Sequence, residues 1–280
     1  VHDTSAGAAM RWGRRIRSSA RAKVVRAVHE VVAETTEDAE RRHRELLDLL
    51  VGQARTIAEL QESVSTLEFR MRRDLPFASD VEAAASSADF VEQHLPKVPS
   101  FTHPTATLRH AVDAVSIDGM ALEFGVATGT TLNVIAEQWA ANANVGVVAG
   151  FDTFEGLPET WRTGFEAGTF AQDTLPEVPG AHLVRGLFQE TLGPFLSKNR
   201  GPVAFVHIDA DLYSSADFVL RRLESRLRAG TVIVFDEFFN FPGWQAHEYR
   251  AWTAFVERTG VEFEYLAYTS NNEQVAVRLG

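Results

Sequence analysis

From about Ala106 to the C-terminus, short continuous apolar runs alternate with helical stretches, and this alternation narrows the fold more than any other feature of the chain. The runs cover residues 120–126, 145–151, 182–184, 203–208 and 231–235, separated by helix-like segments at 131–141, near 191–196 and at 215–227, with another at 107–115 ahead of the first run. A strand with no polar face must be covered on both sides, so the pattern predicts a parallel sheet between two layers of helices. Two last strand-like runs, 262–269 and 273–279, are joined by Ser270-Asn271-Asn272 and predict an antiparallel hairpin at one side of the sheet. The expected fold is α/β and Rossmann-like, a mainly parallel seven-stranded sheet with a C-terminal antiparallel hairpin, over residues 106–280.

The N-terminal third reads differently. Residues 28–73 contain no proline and one glycine, Gly52, and apolar positions recur in steps of four and three at Leu46, Leu50, Ile57, Leu60, Val64, Leu67 and Met71, with Gln53 as the polar member of the seam. A period of 3.5 keeps such a stripe facing a partner helix, so residues 1–75 are expected to form a basic helix and coiled-coil extension that makes the chain a homo-oligomer. Residues 76–105, with Pro76, Pro96 and Pro99, read as a linker with a short helix. Within residues 1–27, Arg11, Arg14, Arg15, Arg17, Arg21, Lys23 and Arg26 face a single acid, Asp3, which suits either a solvated helix face or peripheral contact with an anionic membrane. The whole chain nevertheless carries a net charge of -11, against a nucleic-acid partner, whose phosphates need a positive face. It has no cysteine, no apolar run long enough to span a membrane and no signal-like segment, so a cytoplasmic protein is expected.

Chemistry-bearing residues gather where the apolar runs end. The first run closes on Glu123-Phe124-Gly125-Val126-Ala127-Thr128-Gly129, a turn whose glycines let the backbone approach a ligand at the start of the next helix. The middle glycine of the dinucleotide fingerprint is missing, which disfavours a nicotinamide oxidoreductase and suits a ligand without a pyrophosphate, such as the amino-acid end of S-adenosylmethionine. Asp152 ends the second run, where a carboxylate can bond a ribose diol. The expected cofactor-contacting set is Glu123, Gly125, Val126, Ala127, Thr128, Gly129, Thr131, Asp152, Phe154 and Gln189. The runs at 203–208 and 231–235 end in Asp209-Ala210-Asp211 and Asp236-Glu237. In adjacent parallel strands these acids emerge at one edge, where their repulsion calls for a hard divalent cation such as Mg2+, held by Asp209, Asp236 and Glu237.

The stretches Gly150-Phe151-Asp152-Thr153-Phe154-Glu155-Gly156-Leu157-Pro158-Glu159, Gly186-Leu187-Phe188-Gln189-Glu190-Thr191-Leu192, His207-Ile208-Asp209-Ala210-Asp211-Leu212-Tyr213-Ser214-Ser215 and Val234-Phe235-Asp236-Glu237-Phe238-Phe239-Asn240-Phe241-Pro242-Gly243-Trp244 followed by His247-Glu248 resemble, in that order, the macrocin/mycinamicin O-methyltransferase family. The resemblance covers residues 105–280. It implies a class I methyltransferase fold, S-adenosylmethionine as cofactor, Mg2+ at the positions of Asp209, Asp236 and Glu237, and methyl transfer to a sugar hydroxyl of a glycoside or polysaccharide. Glu237 stands where some members carry Asp, a longer side chain that would alter the metal geometry.

A base must take the hydroxyl proton. His247, whose ordinary pKa suits the task, is the first candidate and Asp211 the second. The main rival activity is methylation of a catechol or small phenol; in metal-dependent catechol methyltransferases a lysine stands three positions after the first metal Asp, where this chain has Leu212. A rival of another class is a non-catalytic coiled-coil scaffold, which would have no reason to keep clustered acids.

Overall fold

The computed structural model describes the backbone of residues 5–162 and 164–280 and the side chains from residue 21 onward, residue 163 apart. Arg11, Arg14, Arg15 and Arg17 of the basic cluster lie outside the described side chains. The chain divides into two compact units, Val1–Asp74 and Leu75–Gly280.

The first unit is one helix, α1 (Ser5–Arg73), of 69 residues. No proline interrupts its hydrogen-bond ladder, and it runs straight through Gly52. The apolar seam residues Leu46, Leu50, Ile57, Leu60, Val64, Leu67 and Met71 are each more than half exposed.

The second unit begins with α2 (Leu75–His94), β1 (Ser100–Phe101), α3 (Pro104–Asp113), β2 (Met120–Phe124), α4 (Thr130–Ala141), β3 (Val148–Asp152) and β4 (Ala181–Arg185). It continues with α5 (Phe188–Lys198), β5 (Val203–Ile208), α6 (Tyr213–Leu223), β6 (Val232–Phe235), α7 (Glu248–Thr259), β7 (Phe263–Thr269) and β8 (Val275–Leu279). The strands form one sheet in the order β1-β7-β8-β6-β5-β2-β3-β4. Only β8 is antiparallel to its neighbours, β6 and β7. The seven expected strands are thus joined by an eighth, the two-residue β1, which pairs with β7 at the edge.

Strands β2, β5 and β6 are buried along their whole length, which is why their sequences are apolar without alternation. One face packs on α3 and α4 through Leu108, Val112, Leu132 and Ile135; the other carries Phe90, Leu192, Val219 and Trp252 from α2, α5, α6 and α7. The chain moves outward from β2 to β3 and β4, then returns to place β5 on the other side of β2. The reversal opens a crevice at the carboxyl ends of β2 and β5, where ligands of such sheets bind.

Where a linker with a short helix is expected over 76–105, the helix α2 takes up 20 residues, Leu75–His94. Val81-Glu82-Ala83-Ala84-Ala85 is a strong helix-forming stretch, and Ala83, Ser87 and Phe90 of α2 are buried. The Phe90 ring lies 5.7 Å from those of Trp244 and Tyr249 and 6.0 Å from that of Phe238. Ser87 Oγ accepts the Asn240 N–H at 2.8 Å, and Trp244 Nε1 donates to Ser86 Oγ at 3.1 Å. Helix α2 thereby braces the loop that follows β6 and carries Asp236 and Glu237. Truncating a buried ring of this kind costs about 3–5 kcal/mol.

Candidate active site

After Phe124 the chain turns through Gly125 at φ +95°, and the Gly125 N–H donates to Phe151 O at 2.9 Å. Asp152, at the end of β3, holds the turn. Its Oδ2 accepts the N–H groups of Val126 and Ala127, each at 2.8 Å, and its Oδ1 accepts that of Phe154 at 2.7 Å. A carboxylate offers about four acceptor positions, so one remains for a ligand hydroxyl. Gly129, at φ +80°, caps the start of α4.

A cleft of about 810 Å3 opens at this edge of the sheet. It brings together Gly125, Ala127, Thr131, Asp152 and Gln189 on one side and Asp209, Asp211, Asp236 and Glu237 on the other. The remaining expected contacts do not line it. Val126 and Phe154 are buried in the core beside α4, and Glu123 is sealed beneath the turn. Thr128 faces solvent and pairs its hydroxyl with that of Thr130 at 2.9 Å, and Gly129 packs under Pro176 and Val178. These residues shape the turn rather than face the cleft.

His247 also lies off the cleft lining. It precedes α7, with its ring packed 5.6 Å from that of Phe241 and 6.4 Å from that of Trp161, and its Nδ1 is buried without a partner. Burial, and secondarily the Arg162 charge, hold its pKa below the usual histidine value. Asp211 does line the cleft; it is 6% exposed and takes the left-handed φ of +56°. Burial pushes its carboxyl up to about 7, with the Asp236 charge adding to the rise.

Acids crowd this edge. Burial, then the Asp236 charge, raises Asp209 and Glu237 well above the carboxylate range, and burial does the same to Glu248. Burial also acts upward on Asp236, but its contacts with His207 outweigh it and hold this carboxyl below the ordinary value. His207, Asp209 and Asp236 each offer a ligand atom, and these atoms lie within 4.8 Å of one another. Glu237 lines the same cleft, but its carboxylate stands outside that group; its Oε2 is buried without a partner and its N–H donates to Glu248 Oε2 at 3.1 Å. Carboxylate oxygens with one imidazole, partly unpartnered and mutually repelling, fit a divalent cation.

Further residues belong to this site. Arg162 stacks 3.9 Å from the Trp161 ring centroid and 4.8 Å from that of Phe241, with its Nη1 3.4 Å from Glu273 Oε1. Trp161, Arg162, Phe165 and Glu273 all line the cleft. They come from a loop between β3 and β4 and from the β7–β8 hairpin, where no periodicity signals them. His207 did carry a signal, since it precedes Asp209 by two positions and strand alternation puts both on one face.

Residues 122–238 match a protein family described as a methyltransferase domain. Over that stretch the chain is similar to methyltransferase domains. Its strand order and terminal hairpin give it the class I methyltransferase fold, the fold of S-adenosylmethionine-dependent enzymes. Among solved structures, the domain is similar to the O-methyltransferase NovP at 19% identity, over 62% of this chain and 78% of that one, with a TM-score of 0.50. The calicheamicin methyltransferase CalS11 is 24% identical over 62% of this chain and 76% of its own, at a TM-score of 0.49. An O-methyltransferase from Bacillus cereus, solved with SAH, is 17% identical over 72% and 91% of the two chains, at a TM-score of 0.43. Comparison with curated proteins finds no match. Among the described residues, no helix is long and apolar enough to cross a membrane.

Proposed function

We propose that the methyltransferase domain transfers a methyl group from S-adenosylmethionine to a sugar hydroxyl of a glycoside or polysaccharide, with the help of a divalent cation. The observation that carries this reading is the convergence of the Gly125–Asp152 turn with Asp209, Asp211, Asp236 and Glu237 on one cleft. S-adenosylmethionine supplies an electrophilic methyl group to that cleft. Asp209 and Asp236, with Glu237 beside them, would hold Mg2+ or another divalent cation, which lowers the pKa of a bound hydroxyl.

The chain's own groups do the rest. The exposed backbone of Gly125 and Ala127 and the remaining acceptor position of Asp152 seat the donor against the start of α4. The acidic edge then fixes the acceptor oxygen on the opposite side, and positioning of two reactants in this way supplies about 7–11 kcal/mol in favourable cases. Asp211 takes the hydroxyl proton in preference to His247, because it faces the cleft and His247 does not. Trp161 and Phe165 offer ring faces, and Arg162 and Glu273 offer polar groups, a mixture suited to a sugar. The similar fold of NovP, an O-methyltransferase, supports transfer to an oxygen.

Incubation of the full chain with methyl-labelled S-adenosylmethionine tests the reading, using nucleotide sugars, aryl glycosides, oligosaccharides and catechols as acceptors, each with and without chelator. Label on glycosides that is lost with chelator is the expected result. Transfer to catechols alone overturns the sugar assignment, and transfer unaffected by chelator overturns the cation.

We also infer that α1 joins copies of the chain. A seam of seven apolar residues at heptad spacing, each more than half exposed, is costly in water and is covered by the same seam of a second helix.

A further inference from the structure

Glu123 and His207 are paired across β2 and β5 in the sheet register, and both are wholly buried. Glu123 Oε1 lies 2.9 Å from His207 Nδ1. The ladder continues past the strand ends, since Asp209 N–H donates to Phe124 O and Asp236 N–H to Ile208 O, each at 2.9 Å. Alternation therefore carries Asp209 onto the same face as His207, and Asp236 onto that of Val234, which is the register partner of His207 on β6. The second ring nitrogen, Nε2, comes within 3.4 Å of Asp236 Oδ1 yet makes no hydrogen bond, and it is shielded from solvent.

A buried imidazole with one nitrogen fixed by a carboxylate and the other left open beside two acids has the form of a metal-binding histidine with its supporting group. We propose that His207 Nε2 is a ligand of the cation together with Asp209 and Asp236, with Glu123 as the positioning residue that fixes the imidazole. This rests on the metal-dependent reading above and sharpens it. An imidazole in the donor set suits transition-metal cations, whereas a site for Mg2+ is served by oxygen alone. Paramagnetic Mn2+, which tolerates both oxygen and imidazole ligands, is a probe for the site.

The test adds Mn2+ to the metal-free full chain and reads its ligands by pulsed electron paramagnetic resonance. Wild type should show modulation from a directly bound nitrogen, which changes to the 15N pattern when the histidines are 15N-labelled. His207→Gln should lose the modulation and His247→Gln should keep it. Glu123→Gln should keep it too, with Mn2+ affinity lowered roughly 10- to 100-fold. If His207→Gln does not fold, the labelled wild type and His247→Gln decide the question, because His247 is the other histidine beside this edge. Bound Mn2+ without nitrogen coupling, or coupling that disappears in His247→Gln, overturns the role of His207 and leaves a carboxylate-bound cation. Failure of Mn2+ to bind at all overturns both.

Discussion

A β-carbon added at Gly125 would stand 1.7 Å from the carbonyl oxygen of Asp209. The turn proposed to receive the methyl donor and the turn that presents Asp209 are therefore packed backbone to backbone, and only glycine permits it. Gly125→Ala is expected to destabilise the domain by at least about 2 kcal/mol, from the positive φ and the clash together. Chemical denaturation measures it; an unchanged midpoint would mean that the two turns are not in contact.

Asp152 joins the turn to β3 by three backbone N–H groups, and hydrogen bonds to a charged acceptor contribute about 1.5–3 kcal/mol each. Asp152→Ala should lower the melting temperature and weaken donor binding together. Asp152→Asn, which keeps an acceptor oxygen, should fall between it and wild type. A variant that loses donor binding at full stability would confine Asp152 to the ligand.

Asp209→Asn should lower kcat by on the order of 1000-fold, since a bound cation contributes several kcal/mol of barrier reduction, while the fold stays intact. Circular dichroism and initial rates on one preparation check both halves. Near-normal rates in this variant or in chelator would remove the cation from the account.

Much of this was legible in the residues alone. The run at 203–208 is the strand β5 to the residue, because a fully buried parallel strand has one apolar signature. The hairpin of β7 and β8 announced itself through Ser270-Asn271-Asn272. Helix α2 did not: its hydrophobic surface is a few scattered positions such as Ala83 and Phe90, and the prolines on either side of it look like those of a linker. Which side chains converge most tightly was likewise beyond reach. That Asp209, Asp236 and Glu237 meet at one edge follows from strand order, but that His207 rather than Glu237 joins the tight group depends on side-chain direction across three strands.

Glu273 titrates near the working range, its carboxyl pushed from 4.5 to about 7 by burial, against the lowering effect of Arg162. The folded state thus holds a proton that the unfolded chain releases near 4.5, so stability from this group falls as pH rises from about 4.5 to 7. Melting temperatures between pH 5 and 7.5 should decline more steeply in wild type than in Glu273→Gln. Parallel curves would show that Glu273 is ionised throughout.

Leu60→Lys with Leu67→Lys should disperse the chain to monomers in sedimentation experiments while the melting of residues 75–280 is unchanged. Equal masses for variant and wild type would mean that the seam of α1 does not join copies.

The cleft between the Gly125–Asp152 turn and the acidic edge is where a sulfonium methyl donor is proposed to bind. Calorimetric titration of the full chain with S-adenosylmethionine, set beside NAD as a control, tests this binding. Saturable binding of one equivalent of S-adenosylmethionine, weakened in Asp152→Ala and absent with NAD, is the predicted result; no binding of S-adenosylmethionine by the folded chain would contradict the account.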